Sequence, residues 1–152
     1  MLQQAANKGY AKSIGVSNYT IKMLEEACAT LDDMPVCNQV EFHPYLDQSK
    51  LFAAATRLGI ALSAYCPLAK GRIFGDPVIN ALAAKYDRSE AQIILRWIVQ
   101  KGVSANPMST KPENLSANID AVNFNLSAPD SAAIDRLGTV SYTHLRAHET
   151  SL

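Results

Sequence analysis

The chain of 152 residues is long enough for one ordinary domain with a core of its own. A hydrophobic share of 48%, a charged share of 18% and a formal net charge of zero give no electrostatic ground for a nucleic-acid or anionic-membrane partner. No apolar run nears the ~20 residues that span a bilayer, Met1 to Lys8 lack the basic-then-apolar order of a signal peptide, and Cys28, Cys37 and Cys66 form no CxxC pair, so the chain reads as cytoplasmic, with free thiols and without a zinc knot or disulfide framework.

Leu2 to Gly9 reads as the last turns of a helix, stopped by a cation and a glycine able to take positive φ. Lys12-Ser13-Ile14-Gly15-Val16 is a short strand, with Ser17 and Asn18 at its carboxyl end. Thr20 caps a helix that places Ile21, Leu24 and Cys28 on one face. Asp32 to Pro35 turns the chain into Val36-Cys37-Asn38-Gln39-Val40-Glu41-Phe42-His43-Pro44-Tyr45-Leu46. This apolar run carries amide and carboxylate groups and is stopped by a His-Pro turn. Ligand groups in α/β proteins sit where parallel strands end, so Asn38, Gln39, Glu41 and His43 are the first candidates for chemistry.

Asp47 to Leu58 is the next helix, with Gly59 as its stop, and Ile60 to Tyr65 is a strand feeding the loop Cys66-Pro67-Leu68-Ala69-Lys70-Gly71. Asp76-Pro77 opens a helix through Ile79, Leu82, Ala83 and Tyr86. Ser89-Glu90-Ala91-Gln92 is a capping box, and its helix buries Ile93, Leu95, Trp97 and Ile98 before stopping at Lys101-Gly102. Val103 to Pro107 is a short strand; Thr110-Lys111-Pro112-Glu113 starts a helix by the same capping logic. Ser127-Ala128-Pro129-Asp130 starts another, which ends near Leu137-Gly138. Strand and helix alternating through short connections give an α/β fold with a parallel sheet. Val140 to Leu152 has no clear period, holds His144 and His148, and resembles the translation of a sequencing adapter. The expected domain therefore covers 1–138, and 139–152 is set aside as an artefactual or disordered tail.

Several stretches, in order and at matching gaps, resemble the aldo-keto reductase family, NAD(P)H-dependent enzymes on a (β/α)8 TIM barrel. They are Ile14-Gly15-Val16-Ser17-Asn18-Tyr19, Asn38 to Leu46, Ala64-Tyr65-Cys66-Pro67-Leu68, Ala91-Gln92 through Leu95-Arg96-Trp97, and Pro107-Met108-Ser109 leading to Glu113-Asn114-Leu115 and Asn118. The resemblance implies that the strands are the fifth to eighth of the barrel, its carboxyl-terminal half. It implies a nicotinamide cofactor, NADPH or NADH, and a small aldehyde or ketone as substrate of the whole enzyme. The family's catalytic Asp, Tyr, Lys and His belong to the second to fourth strands, so no residue here takes a catalytic role by resemblance.

The same resemblance makes Ser17, Asn18 and Gln39 partners of the nicotinamide carboxamide, with Asn38 as a neighbour, and makes Tyr65 the ring that stacks on the nicotinamide face. It carries the loop Cys66, Leu68 and Lys70 across the pyrophosphate, with a thiol at Cys66 where the family often has a hydroxyl. Met108, Ser109, Asn114 and Asn118 fall at the adenosine end. Met108 and Asn114 stand where NADPH-preferring members carry Lys and Arg; Lys111 is a partial substitute. Dual use or NADH use follows.

Read without the resemblance, Ser17-Asn18 is a helix-entry turn, Asn38 and Gln39 are satisfied polar groups at a strand end, and Tyr65 is core or rim. Glu41 and His43 read as structural support of the strand end. Two rival readings stay open: a non-catalytic nucleotide-binding module of the same family, and an unrelated half-barrel or doubly wound phosphate-binding domain. A half barrel leaves the strands near Ile14 and Ala105 with open edges and an inner sheet face, expected to be apolar, in water. Aggregation, self-association of two halves through those edges, or loose packing is the expected consequence.

Overall fold

The computed structural model describes residues 2–149, with side chains through 138. The elements are α1 (Leu2–Asn7), β1 (Gly15–Ser17), α2 (Ile21–Thr30), β2 (Cys37–Glu41), α3 (Ser49–Leu58), β3 (Ala61–Tyr65), a 3-10 turn (Ala69–Gly71), α4 (Pro77–Tyr86), α5 (Glu90–Gln100), β4 (Ser104–Ala105), α6 (Pro112–Asp120) and α7 (Ala128–Glu149). The four strands form one parallel sheet in the order β1-β2-β3-β4. Every crossover moves to the next strand in the same direction, which right-handed connections allow only with the helices on one face. A doubly wound sheet reverses its winding at a switch point, and this sheet has none among the described residues.

One face is therefore covered and the other open. On the covered face Asn38, Val40, Leu62 and Ala64 are buried, in a core that includes Leu24, Ala55, Ile93, Ile94, Trp97 and Ile98. On the open face the register sets Gly15 beside Cys37 and Ala61, and Ser17 beside Gln39, Ser63 and Ser104. The expected apolar inner face is corrected here. It is built of small and polar side chains, because alternation along each strand sends the larger apolar residues toward the helices.

The helix ends follow local chemistry. The Thr20 hydroxyl accepts from the Met23 amide, Asp76 accepts from the Val78 and Ile79 amides, and both halves of the Ser89–Gln92 capping box form. Gly59 closes α3 at φ 72. Thr110 does not cap α6; Lys111 holds the cap position without a side-chain bond, and Pro112 in the first turn presets the backbone instead.

Helix α7 differs most from expectation. Its backbone stays helical to Glu149, and 150–152 lie outside the described residues. Gly138 is not a stop. A Cβ there would meet the Pro44 carbonyl oxygen at 3.0 Å and the Asp47 nitrogen at 3.6 Å, so the glycine lets α7 approach the turn after β2. The same helix is held to α4 by Lys85–Asp130 at 2.8 Å and to α5 by the Trp97 indole N–H, which donates to Asp135 at 2.9 Å. Gly138→Val would force backbone atoms apart at this contact, at a cost of about 1–3 kcal/mol, lowering Tm by about 3–10 °C in a thermal melt; an unchanged Tm would mean that the approach is not tight.

Candidate functional site

The carboxyl ends of β1, β2 and β3 bring four of the candidates together. Ser17 ends β1, and its hydroxyl donates to the Gln39 carbonyl oxygen at 3.0 Å. The Asn18 amide donates to the same oxygen at 2.9 Å. Asn18 is left-handed at φ 58, a conformation that asparagine tolerates better than most residues. Its side-chain oxygen accepts from the Tyr65 hydroxyl at 2.9 Å, and its Nδ2 lies 3.4 Å from the Ser17 hydroxyl. Tyr65 ends β3, so this contact reaches across β2. The Gln39 side chain is exposed on the open face in register with Ser17. Beside this cluster lies an open hollow of about 850 Å³ lined by Asn18, Tyr19, Glu41, Gln48, Lys50, Tyr65 and others. The cluster itself offers neutral donors and acceptors beside an aromatic ring, which suits a planar amide better than an ion, whereas the hollow beside it also carries the charged groups Lys22, Glu41, Asp47 and Lys50.

Asn38 does not join them. It sits on the covered face at 0% exposure, where its oxygen accepts from the Tyr19 amide at 3.2 Å and its nitrogen donates to the Tyr19 carbonyl at 3.0 Å. The expectation of a nicotinamide neighbour at Asn38 is corrected by strand parity: successive side chains point to opposite faces.

Glu41 and His43 support the strand end, as the sequence reading has it. The His43 ring is buried, its Nδ1 accepts from the Tyr45 amide at 3.2 Å, and its Nε2 lies 3.2 Å from Glu41 Oε1. With Nδ1 an acceptor, the neutral ring carries its proton on Nε2 and donates to the carboxylate. Burial lowers the His43 pKa and outweighs the pull of Glu41. Next along, the Tyr45 hydroxyl donates to Asp76 at 2.9 Å, and the Arg72 guanidinium stands 5.3 Å from the Tyr45 ring centre. Burial, with Asp76 assisting, raises the Tyr45 pKa. This tie between the turn after β2 and the loop after β3 is not signalled in the sequence, since nothing local pairs Tyr45 with Asp76.

The loop after Tyr65 holds Cys66, Ala69 and Lys70 in the left-handed region, at φ 49, 49 and 55. Such conformations cost energy outside glycine and persist only where surroundings hold them. Leu68 packs against the core, Lys70 is exposed and Cys66 is half-buried. The remaining candidates form a separate group. Met108 is 93% exposed, the Ser109 hydroxyl accepts from the Lys111 amide at 3.2 Å, and Asn114 is exposed on α6. Asn118 lines a hollow of about 330 Å³ with Leu95, Ala105 and Pro107 among its other residues. Asn106, which the sequence reading passed over, donates to the Ser63 hydroxyl at 2.6 Å and joins the ends of β4 and β3; its place just before Pro107 at a strand end was the available signal.

A further hollow of about 360 Å³, against Phe42, Trp97 and Gly138, shares Leu46, Asp47 and Gln48 with the larger one. Among its polar members, Trp97 and Lys101 both bond Asp135, which is structural chemistry. Among the described residues no cluster of His, Cys, Asp and Glu could hold a metal ion, and no helix is long and apolar enough to cross a membrane.

The family model for the aldo/keto reductase family matches residues 1–139. The methylglyoxal reductase DkgB of Escherichia coli O157:H7 is 41% identical over 137 residues, covering 90% of this chain and 51% of that protein. Among solved structures, a variant of Gox0644 in complex with NADPH superposes with a TM-score of 0.84 at 36% identity, covering 88% of this chain and 49% of that one. A Bombyx mori aldo-keto reductase in complex with NADP gives 0.82 at 35%, covering 89% and 47%. The chain thus spans about half the length of the curated relatives it matches.

The buried histidine makes stability depend on pH. Its folded pKa lies below the ordinary 6.5, so the unfolded chain binds a proton that the folded chain refuses. Stability is fully present above about 6.5 and falls as pH drops toward the folded value. Between about pH 5 and pH 7, His43→Gln shows a flatter loss of Tm on acidification than the wild type; parallel curves would show that this ring is not a source of the slope.

Proposed function

Because the chain belongs to the aldo/keto reductase family, we propose that it is the cofactor-holding, carboxyl-terminal half of a (β/α)8 barrel, strands five to eight, from a nicotinamide-dependent reductase of aldehydes or ketones. The observation that carries this reading is the contiguous set of Ser17, Asn18 and Gln39 at adjacent strand ends beside the Tyr65 ring. Those groups fit a nicotinamide carboxamide, which needs both a donor and an acceptor, and the ring fits the flat face beside it. The NADPH and NADP complexes among structural relatives support the same cofactor class.

When bound, the nicotinamide would supply hydride to a carbonyl carbon. Ser17, Asn18 and Gln39 would orient its carboxamide, and Tyr65 would cover one face of its ring. The loop of Cys66, Leu68 and Lys70 would lie along the pyrophosphate, with the exposed Lys70 ammonium as a counter-charge. At the adenosine end Ser109, Asn114 and Asn118 would contact the ribose and base side. Met108 and Asn114 bring no charge to a 2′-phosphate, which is ordinarily held by charge-assisted bonds, so NADH and NADPH are both accepted. No residue of this chain is assigned the proton transfer to the carbonyl oxygen; that role belongs to the other half, and the isolated chain is inactive.

In fluorescence titrations of the full chain, Gln39→Ala and Tyr65→Ala each weaken NADPH binding by about tenfold, the equivalent of about 1.4 kcal/mol, and NADH binds within about tenfold of NADPH. Unchanged affinity in both variants would remove the nicotinamide from this cluster.

The proposed unit ends at 138, one residue before the end of the family match, with 139–152 outside the proposed unit. The edges of β1 and β4 are the proposed surfaces of self-association. Light scattering and melts of the chain with and without 139–152 should agree: the same Tm, and association that grows with concentration in both. Association lost on truncation would assign it to the tail.

A further inference from the structure

We propose that Asn38 is a positioning residue, which fixes the turn Ser17-Asn18-Tyr19 so that the Asn18 carboxamide is presented on the open face. The inference deepens the cofactor reading above and rests on it for its functional consequence. Asn38 is wholly buried on a face it shares with Val40, Leu62 and Ala64, where an aliphatic side chain would be the ordinary occupant. A buried amide is tolerated there only if both of its polar ends are bonded. Both are, and to the same residue: the Tyr19 N–H and the Tyr19 carbonyl.

The reason lies in how β1 ends. The Asn18 amide makes the last bond to the β2 backbone, on the Gln39 carbonyl at 2.9 Å. Asn18 then turns left-handed at φ 58, which carries Tyr19 off the ladder. The Asn38 side chain takes over as partner for the peptide groups of Tyr19. Neighbouring residues of one strand thus grip both sides of Asn18, Gln39 by its backbone and Asn38 by its side chain. With both sides held, Asn18 Oδ1 stands 2.9 Å from the Tyr65 hydroxyl. Without Asn38 the Tyr19 N–H and carbonyl would lose these partners, and the turn would relax toward another conformation.

Asn38→Asp offers a reversible test. A protonated carboxylic acid has the shape, donor and acceptor of the carboxamide; the carboxylate has lost the donor and faces the Tyr19 carbonyl oxygen. Burial beside that oxygen raises its pKa, so the change falls within reach of mild buffers. The measurement is amide hydrogen exchange on the full chain, as protection factors, at about pH 5.5 and about pH 8. In Asn38→Asp, protection of Asn18 and Tyr19 drops at least tenfold at the higher pH and returns at the lower, while Val40 and Ala64 in the ladder hold theirs. Asn38→Leu loses it at both.

Protection that survives in Asn38→Leu, or a loss spread equally to Val40 and Ala64, would overturn the proposal. Where Asn38→Leu does not fold, the pH series of Asn38→Asp decides alone. NADPH titration separates the two readings: weakening in Gln39→Ala but not in Asn38→Asp at about pH 8 overturns the positioning role and leaves the cofactor site standing. A wild-type chain that does not bind NADPH removes the cofactor reading, and exchange still decides whether Asn38 holds the turn.

Discussion

One-sided burial is the constraint on which the rest of this structure depends. A parallel sheet wound in a single direction is covered on one face only, so parity along each strand decides the fate of every side chain. On β2 it sends Asn38 and Val40 under the helices and leaves Gln39 on the open side. Any polar group sent to the covered side or into the strand-end turns must bring its own partners. The buried polar side chains do: Asn38 with Tyr19, His43 with Glu41 and Tyr45, Ser63 with Asn106, and Gln92 with Ser89 and Asp120. Among the described residues Arg88 Nε is the buried side-chain nitrogen that lacks a partner; its guanidinium instead stands 5.5 Å from the Phe124 ring centre.

The strands themselves are short, β1 with three residues and β4 with two. Ladder bonds alone therefore leave much backbone near the strand ends to be satisfied in other ways. Side-chain amides supply part of it. Asn38 pairs with the N–H and carbonyl of Tyr19, and Gln100 does the same for Leu126, donating to its carbonyl at 2.9 Å and accepting from its amide at 3.0 Å. In each case a carboxamide imitates a neighbouring strand for one residue. The first case lies behind the candidate site and the second joins α5 to the segment leading into α7, so the same device serves position in one place and packing in the other.

Much of this was legible in the sequence because the signals are local. The Ser89–Gln92 box, the Asp76-Pro77 start, Gly59 and the His-Pro stop all act within a few residues of themselves. The strand-end candidates were legible because a parallel sheet gathers its strand ends at one edge. What was not legible depended on partners distant in the chain. Asn38 and Gln39 are chemically alike, and only the shared parity of Asn38 with Val40 and Phe42 hints that the first is buried. Gly138 looks like a helix stop by type, yet it serves a contact with Pro44 some ninety positions earlier in the chain. Thr110 has the chemistry of a cap, but Pro112 starts its helix one position later than that cap would allow. The open face seemed apolar by analogy with buried parallel strands, whereas its residues Gly15, Ser17, Cys37, Ala61 and Ser63 are small.

That smallness sets what can close the fold. Side chains on the inner face of a small barrel must fill the space between opposite strands. Two faces each built of Gly15, Ser17, Cys37, Ala61, Ser63 and Ser104 would meet with voids between them, and unfilled volume costs stability in proportion to its size. The larger groups at the carboxyl ends, Gln39, Glu41 and Tyr65, would crowd one end of such a pair and leave the other empty. The open edges of β1 and β4 can still bond a second copy through backbone groups, because edge pairing is indifferent to side-chain volume. Association between copies, as proposed, would be driven by edges without a packed interior, and would stay looser than closure by a sheet whose inward side chains are large where these are small.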